Sequence, residues 1–395
     1  MTKPLGTKPL KIAQRGDVPP FIVMDVMRAA AERKAAGKDV LHMEVGQPGE
    51  GVPAGVRERL KGVLDSDALG YTVALGLPEL RARIAADYQR TDGIEVDPAR
   101  VVATTGSSGA FILAFIACFE AGARVGIAQP GYPAYPSILR ALGIEPVRLP
   151  VGPETRYQPT VEVLERSGEK LDGLIVASPS NPTGTVMPPE DLEHLCRYCE
   201  ANGIRLISDE IYHGITFGGQ RAVTAARYSD DAVVINSFSK YFCMTGWRLG
   251  WMVVPEAMIR PLECLTQNLF ISPPTLSQHA GTFVFDHVDE LEARVAMYAR
   301  NRAMLLEDLP KAGFTTFAPA DGAFYLYCDV SGLTNDSLEF CRRMLAETGV
   351  AATPGVDFDP DQGNRFVRFS FCQTEDMMAR AASSLREWSL CDWRR

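Results

Sequence analysis

The segment AVVINSFSKYFCMTGWRLGWMVV (residues 232–254) holds the pattern from which the fold prediction starts. Its apolar, β-branched run at 232–237 predicts a buried strand, and a second apolar run at 247–254 predicts another. Residues 238–246 are too few for a comfortable parallel crossover, so the second strand is predicted to run antiparallel. Lys240 follows the first strand directly, an unusual place for a side chain that is almost never fully buried without a partner.

Outward from this segment, short apolar runs alternate with helix-length segments through the middle of the chain. That alternation predicts an α/β fold, doubly wound, with helices on both faces of a mostly parallel seven-stranded sheet. The predicted strands are VVATT (101–105), RVGIA (124–128), EPVRLP (145–150), GLIVAS (173–178), IRLISD (204–209), AVVINS (232–237) and WRLGWMVV (247–254).

The pattern changes after the last of these strands. Residues 288–309 have helical periodicity with charged faces and are predicted to bridge into a second unit. A strand, a helix, a strand and a helix follow, with the sequences FYLYCDV, SLEFCRRMLAETG, RFVRFSF and TEDMMARAASSLREW. We interpret this part, with a predicted helix at 21–36, as a smaller α+β domain. The predicted division is a large domain at 46–285 and a small domain formed by 1–45 and 286–395.

Composition narrows the possible functions. The chain has 395 residues and a net charge of −9, which argues against nonspecific binding to nucleic acid or anionic membranes. No apolar run approaches the roughly 18 residues of a membrane span, and the N-terminus lacks the apolar region of a signal peptide, so a cytoplasmic location is expected. Cys196 and Cys199 form a C-x-x-C within a predicted amphipathic helix. Without a second ligand pair, no metal site is expected there.

Residues capable of chemistry follow several predicted strands, where ligands of open α/β sheets bind. Ser107 and Ser108 open a predicted helix, whose free N–H groups suit a phosphate, although such a turn is also common for structural reasons. Two prolines fix the amide of Asn181 in a turn, which reduces the entropy that binding would cost.

Ionisable groups lie at the following strand ends. Asp209 is suited to accept from a protonated ring nitrogen, or to cap a helix, and Tyr212 supplies a hydroxyl. Burial of Lys240 would make its amine neutral and nucleophilic, whereas a lysine at the rim of the sheet would stay charged. Arg248 offers a guanidinium suited to a phosphate. Taken together, these groups predict a site for a phosphorylated pyridine aldehyde.

The sequence resembles the class I/II aminotransferases of fold type I, the aspartate aminotransferase superfamily, from about residue 43 to 385. The resemblance implies pyridoxal 5′-phosphate (PLP) held as a Schiff base on Lys240. It also implies ping-pong transfer of an amino group between an amino acid and a 2-oxo acid, and a homodimer with its site at the subunit interface. The motifs in family order are VGQP (45–48), YTVALGLPELR (71–81), TGSSGA (105–110), PGYPAY (130–135), SPSNPTG (178–184), SDEIY (208–212), SFSK (237–240), TGWRLG (245–250) and FVRFSF (366–371).

The resemblance also implies a role for individual residues. Lys240 would move the substrate proton, Asp209 would pair with the pyridinium nitrogen, and Tyr212 would bind the phenolic oxygen. The other implied contacts are Ser107, Ser108, Ser237, Arg248 and, from the neighbouring subunit, Tyr71 for the phosphate; Tyr132 stacked on the pyridine ring; Asn181 for the phenolic oxygen; and Arg368, Asn181 and the Gly46 backbone for the substrate α-carboxylate.

The sequence departs from the family pattern at the substrate end. GQPGEG (46–51) lacks the Asp-Phe pair of many relatives, and residues 268–274 contain no arginine for a distal carboxylate. This argues against a dicarboxylate substrate, although other branches of the family bind one through different residues. Phe21, Phe270 and Ile271 favour an apolar side chain, such as that of alanine or a branched or aromatic amino acid, unless they belong to the core.

Two alternatives stay open. β-Lyases and synthases acting on sulfur-containing amino acids share the lysine, aspartate and arginine, so these motifs do not exclude them. PLP-binding parts of transcription regulators carry a DNA-binding module ahead of the similar region. The segment before Gly46 is short, only slightly basic and without a helix-turn-helix pattern, which argues against that alternative. Without the resemblance, Arg368 would be interpreted as a surface arginine on an edge strand.

Overall fold

A computed structural model describes residues 11–219 and 221–390, apart from the side chains of Ser389 and Leu390. The helices are α1 (Ile22–Ala35), α2 (Ala54–Ser66), α3 (Pro78–Asp92), α4 (Gly106–Cys118), α5 (Ala134–Ala141), α6 (Val161–Ser167), α7 (Pro189–Asn202), α8 (Ile259–Leu269), α9 (Thr275–Val284), α10 (Val288–Asp308), α11 (Ser337–Thr348) and α12 (Glu375–Leu390). The strands are β1 (Leu41–His42), β2 (Val101–Thr104), β3 (Arg124–Gln129), β4 (Glu145–Pro150), β5 (Gly173–Ala177), β6 (Arg205–Asp209), β7 (Val233–Ser237), β8 (Gly250–Val253), β9 (Thr316–Phe317), β10 (Tyr325–Asp329), β11 (Val350–Ala351), β12 (Thr353–Pro354) and β13 (Phe366–Ser370).

Seven strands form the large sheet, in the order β2-β8-β7-β6-β5-β3-β4. Strand β8 runs antiparallel to both of its neighbours, and every other pair is parallel. The mostly parallel seven-stranded sheet and the antiparallel last strand are therefore confirmed. The last strand begins at Gly250 and not at Trp247, because Thr245–Trp247 form a 3₁₀ turn and Arg248 has a left-handed φ of 51°.

Side chains of the central strands alternate between two apolar cores, one on each face of the large sheet. Val101 and Ala103 of β2 enter one core, and Val102 enters the other. The same alternation continues through β5, β6, β7 and β8, as expected for strands that are covered on both faces. Because β2, β5, β6 and β7 run in one direction, their carboxyl ends share one edge. The described part of the chain contains no helix with the length and apolarity to cross a membrane.

The C-terminal part forms a second, four-stranded sheet in the order β12-β13-β10-β9, entirely antiparallel. The N-terminal segment joins this part, because β1 pairs in parallel with β11 and α1 packs against β11 and β12. Asp357 fixes the start of α1 by accepting from the backbone N–H groups of Ile22 (2.9 Å) and Val23 (3.2 Å). On these contacts we propose the division into a domain at 46–285 and a domain formed by 1–45 and 286–395, of which residues 1–10, 220 and 391–395 lie outside the described part of the chain.

Candidate active site

Lys240 lies in the turn after β7, at the shared edge of the large sheet. Its Nζ donates a hydrogen bond of 2.6 Å to the backbone oxygen of Gly46 and lies 5.7 Å from the centre of the Tyr212 ring. Burial lowers the pKa of Lys240 to about 8. A lysine with this pKa is partly neutral near physiological pH, which is the nucleophilic form of the amine.

Asp209 is the last residue of β6 and is buried. Its Oδ1 accepts from the N–H of Ile211 (3.2 Å), and its Oδ2 accepts from the hydroxyl of Tyr135. Burial raises the pKa of Asp209 to about 6, because the carboxylate has lost most of its solvation. No helix begins here in the described chain, so the carboxylate is free of a helix-capping role. Its environment suits a cationic N–H partner.

Tyr212 follows Asp209 on a turn and is buried. Its hydroxyl lies 2.6 Å from that of Tyr325, a residue of β10 in the C-terminal sheet. Tyr325 was not predicted as a site residue, because FYLYCDV is an apolar run that indicates a strand and gives no sign of a functional hydroxyl. Tyr135 was missed for a similar reason: nothing in the sequence of α5 indicates that its hydroxyl reaches the end of β6.

Arg368 lies on β13, between β12 and β10, and only 4% of its surface is exposed. The interpretation as a surface arginine on an edge strand is therefore wrong. Its Nη1 donates to Oδ1 of Asn181 (2.8 Å), and its Nη2 donates to Oγ1 of Thr353 (3.2 Å) and to the backbone oxygen of Glu44. Within the described chain its Nε has no hydrogen-bond partner.

These contacts leave Arg368 as a buried cation whose hydrogen bonds all go to neutral groups. Its guanidinium carbon lies 4.3 Å from the centre of the Tyr325 ring and 4.7 Å from that of Phe358. Burying a charge whose direct contacts are all neutral is costly, so the site favours a ligand that brings a carboxylate. Asn181 is held by the same guanidinium in a turn that the hydrogen bond from Gly184 N to Ser180 O closes at 2.8 Å.

The start of α4 has the features of an anion site. The Thr105 side chain makes no capping bond, so the first N–H groups of the helix remain available, with Ser107 half-buried and Ser108 exposed in the first turn. A Cβ on Gly106 would lie 2.5 Å from Nη2 of Arg248, so the guanidinium sits directly against the helix start. Free N–H groups and a guanidinium together suit a phosphate.

Ser237, at the end of β7, is buried and bonds locally. Its Oγ lies 2.9 Å from Oγ of Ser239 and accepts from the Ser239 N–H at 3.0 Å.

Tyr71 is 85% exposed, so within a single chain it is not part of the buried cluster. Tyr132 is half-buried, with its ring edge-on to Tyr135 (5.2 Å) and Phe21 (6.0 Å), and burial raises the pKa of Tyr132 to about 12.

A cavity of about 500 Å³ adjoins Tyr132. The N-terminal segment 18–22, the region 127–140 and the segment 356–360 supply most of its walls, and Phe21 and Phe358 contribute aromatic rings. Phe358 also covers the guanidinium of Arg368, so the cavity and this guanidinium share a wall. Phe270 and Ile271 lie elsewhere. Phe270 packs against one of the cores of the large sheet, and Ile271 is exposed.

Cys196 and Cys199 are buried on α7, and burial raises the pKa of each thiol to about 12. Between residues 11 and 390, leaving out residue 220, no group of His, Cys, Asp and Glu side chains is placed to hold a metal ion. The predicted amphipathic helix containing both cysteines is confirmed and ends before Gly203, which has a left-handed φ of 66°.

Comparisons with known proteins point to one family. The model for aminotransferases of class I and II matches residues 38–385. The chain is 51% identical over 381 residues to a protein of Mycobacterium tuberculosis named valine–pyruvate aminotransferase, covering 96% of this chain and 98% of that protein. It is 31% identical over 367 residues to the aspartate/prephenate aminotransferase of Thermus thermophilus, covering 92% and 94%.

Solved structures agree with this. The crystal structure of an aminotransferase from Mycobacterium tuberculosis superposes with a TM-score of 0.95 at 50% identity, covering 97% of this chain and all (100%) of the other. The aspartate aminotransferase of Thermus thermophilus with maleate gives a TM-score of 0.89 at 30% identity, covering 96% and 100%.

Proposed function

This chain belongs to the class I and II aminotransferase family, and we propose that it moves an amino group between a small aliphatic amino acid, such as valine, and pyruvate. Membership of the family makes it a transaminase and implies PLP as its cofactor. The proposal rests mainly on three ionisable side chains of the site, Lys240, Asp209 and Arg368. Within the described chain, none of the three has an oppositely charged hydrogen-bond partner.

The side chains present fit PLP. Lys240 offers a partly neutral amine, and Asp209 offers a buried carboxylate whose hydrogen-bond partners in the described chain are neutral. The start of α4 and Arg248 offer an anion site. Ser107, Ser108 and Ser237 would add hydroxyls to that anion site, and Tyr132 would cover the ring. When bound, PLP supplies an electron sink for the negative charge that develops at the substrate Cα.

Lys240 performs two tasks in this scheme. Its amine would hold the cofactor covalently at rest, and once released its Nζ would take the proton from the substrate Cα and return it. The Gly46 carbonyl accepts from Nζ and so fixes its position. Asp209 would keep a proton on the pyridine nitrogen, because an adjacent N–H cation stabilises a buried carboxylate. Tyr212 and Asn181 would donate to the phenolic oxygen of the cofactor.

Arg368 would bind the substrate α-carboxylate. Its existing hydrogen bonds to Asn181 and Thr353 hold the guanidinium in place before the substrate arrives. That preorganisation reduces the entropy lost on binding, and the carboxylate replaces the missing counter-charge. The Gly46 backbone, whose oxygen accepts from Nζ of Lys240, would complete the carboxylate contacts.

The proposed substrate class rests on the cavity beside Tyr132 and on the relative. The cavity has prolines and aromatic rings in its walls, which suit an apolar side chain. Residues 268–274 supply no arginine for a second carboxylate. The relative with 51% identity is named valine–pyruvate aminotransferase, whereas relatives named for aspartate are about 30% identical.

We also propose that the active unit is a homodimer. Tyr71 and Val73 are exposed on one segment, and Leu269 and Ile271 are exposed on another. The two segments adjoin, because Oγ1 of Thr275 donates to the backbone oxygen of Gly70 at 2.6 Å. A second copy seated on these apolar side chains would bring its Tyr71 towards the phosphate site.

The proposal can be tested on the half-reaction between the PLP-loaded protein and a single amino acid. Purified protein loaded with PLP is mixed with single amino acids, and the visible absorbance and the 2-oxo acid formed are followed. Valine and similar aliphatic donors are expected to bleach the cofactor band and yield their oxo acids, with pyruvate restoring the band. A Lys240→Ala variant that still bound cofactor in a borohydride-reducible form would contradict the assignment of Lys240. Release of ammonia or a thiol in place of the oxo acid would contradict transamination of these substrates.

A further inference from the structure

Tyr325 touches three parts of the site at once. Its hydroxyl lies 2.6 Å from that of Tyr212, and its ring lies under the guanidinium of Arg368 at 4.3 Å. A Cβ on Gly46 would lie 1.7 Å from the same hydroxyl, so residue 46 has no room for a side chain. Both tyrosines are almost fully buried, so their hydroxyls exchange little with water. Tyr325 therefore stands between the carboxylate-binding arginine and the phenol beside Lys240.

The two phenols differ in acidity, and the difference favours one of them as the hydrogen-bond donor. Burial raises the pKa of both, and it raises that of Tyr212 to well above the ordinary value. For Tyr325 the nearby charge of Arg368 is the largest opposing influence. Either hydroxyl could donate across the 2.6 Å contact, and the Arg368 guanidinium, 4.3 Å from the centre of the Tyr325 ring, favours Tyr325 as the donor because a nearby cation makes a phenol more acidic. The proton of Tyr212 is then left free for another acceptor.

We propose that Tyr325 is a positioning residue, whose hydroxyl donates to Tyr212 and directs the Tyr212 proton to the phenolic oxygen of the cofactor. The inference rests on the proposed function, since it requires PLP on Lys240. A hydroxyl that accepts one hydrogen bond becomes a stronger donor in the next. Tyr325 therefore strengthens the contact that Tyr212 makes, although it touches neither Lys240 nor the reacting atoms.

The pair also connects the two sheets of the molecule. Tyr212 follows β6 of the large sheet, whereas Tyr325 and Arg368 belong to β10 and β13 of the C-terminal sheet. A change in the position of Arg368, on which the Tyr325 ring rests, thus reaches the Tyr212 hydroxyl through one side chain.

The experiment is a pH titration of the visible absorbance of the bound cofactor in the holoenzyme. When the lysine linkage loses its proton, the phenolic oxygen carries its negative charge unshared, so the Tyr212 hydrogen bond favours the deprotonated form and lowers the midpoint. Tyr325→Phe weakens that bond and is expected to raise the midpoint by about 0.2–0.6 pH unit. Tyr212→Phe removes the bond and is expected to raise the midpoint further.

A control variant and a double variant show whether a shift of the midpoint comes from the Tyr212–Tyr325 contact. Tyr327→Phe, two residues along β10, removes a buried hydroxyl that has no hydrogen-bond partner in the described chain and is expected to leave the midpoint unchanged. The double variant Tyr212→Phe/Tyr325→Phe is expected to match Tyr212→Phe, because Tyr325 acts through Tyr212. An unchanged midpoint in Tyr325→Phe, or a further shift in the double variant, overturns the inference. A Tyr212→Phe variant with the wild-type midpoint overturns the proposed role of Tyr212 itself.

Discussion

Nζ of Lys240 donates a hydrogen bond of 2.6 Å to the backbone oxygen of Gly46, joining the turn after β7 to the loop that precedes α2. The bond holds the amine at a point where burial lowers its pKa to about 8. Gly46 reaches this position only because it lacks a side chain, since the Tyr325 hydroxyl fills the space that a Cβ would need. The missing side chain at residue 46 thus allows the placement of the lysine, and burial supplies its reactivity.

The depressed pKa of Lys240 predicts how apoenzyme captures its cofactor. The neutral amine is the reacting form, so the capture rate is expected to rise about tenfold per pH unit below pH 8 and to level off above it. Stopped-flow absorbance after mixing apoenzyme with PLP measures this rate. A rate that kept rising beyond pH 10 would show an ordinary lysine.

From the raised pKa of Asp209 we expect the buried carboxylate to lower the stability of the apoprotein at high pH. Its folded pKa, about 6, lies above the unfolded value, so its contribution to stability is fully present below the unfolded pKa and is lost as the pH rises through 6. Asp209→Asn removes the buried charge and is expected to stabilise apoprotein at pH 8 by about 2–3 kcal/mol, with no gain at pH 3 to 4.

Urea unfolding at both pH values measures this difference. The same variant is expected to bind PLP more weakly, because the pyridine nitrogen loses its anionic partner. Asp231→Asn, an exposed change in the same part of the chain, serves as the control and should alter neither quantity. Equal stabilisation of Asp209→Asn at both pH values would contradict a raised pKa.

Shortening Phe21 is expected to change the substrate preference. Phe21→Ala enlarges the cavity beside Tyr132, so kcat/KM for valine is expected to fall about 10-fold or more while larger apolar amino acids lose less or gain. Steady-state assays with valine, leucine and phenylalanine give the ratios. Met24→Ala on the exposed face of α1 is the matched control. Equal losses for all three donors would mean that Phe21 does not contact the substrate side chain.

The exposed apolar side chains of Tyr71, Val73, Leu269 and Ile271 lead us to expect a dimer. Val73→Glu places a charge among Tyr71, Leu269 and Ile271, and desolvating that charge would oppose association of two copies. Sedimentation is expected to show a dimer for wild type and monomers for the variant, which should also retain PLP poorly. Leu338→Glu, an equally exposed change on α11, is expected to remain dimeric. A monomeric wild type that retained PLP and transaminated would contradict the proposal.

Much of the fold and half of the site could be predicted because they depend on local patterns. Strands of the large sheet are continuous apolar runs, and their ends are marked by Asp209 and Lys240 in the sequence itself. The contacts of Tyr135 and Tyr325 depend on the meeting of distant elements, which no local pattern encodes. The pairing of Leu41 with Val350 was missed for the same reason, since a two-residue strand has no periodicity.

The two cores on opposite faces of the large sheet have a consequence for how this enzyme can change over time. Asp209 and Lys240 stand at the ends of strands enclosed on both sides, so few substitutions can move them without unfolding the sheet. The walls of the cavity beside Tyr132 come largely from segments 18–22 and 356–360, outside that sheet. Mutation in those segments can alter which amino acid is accepted while the catalytic chemistry is inherited intact.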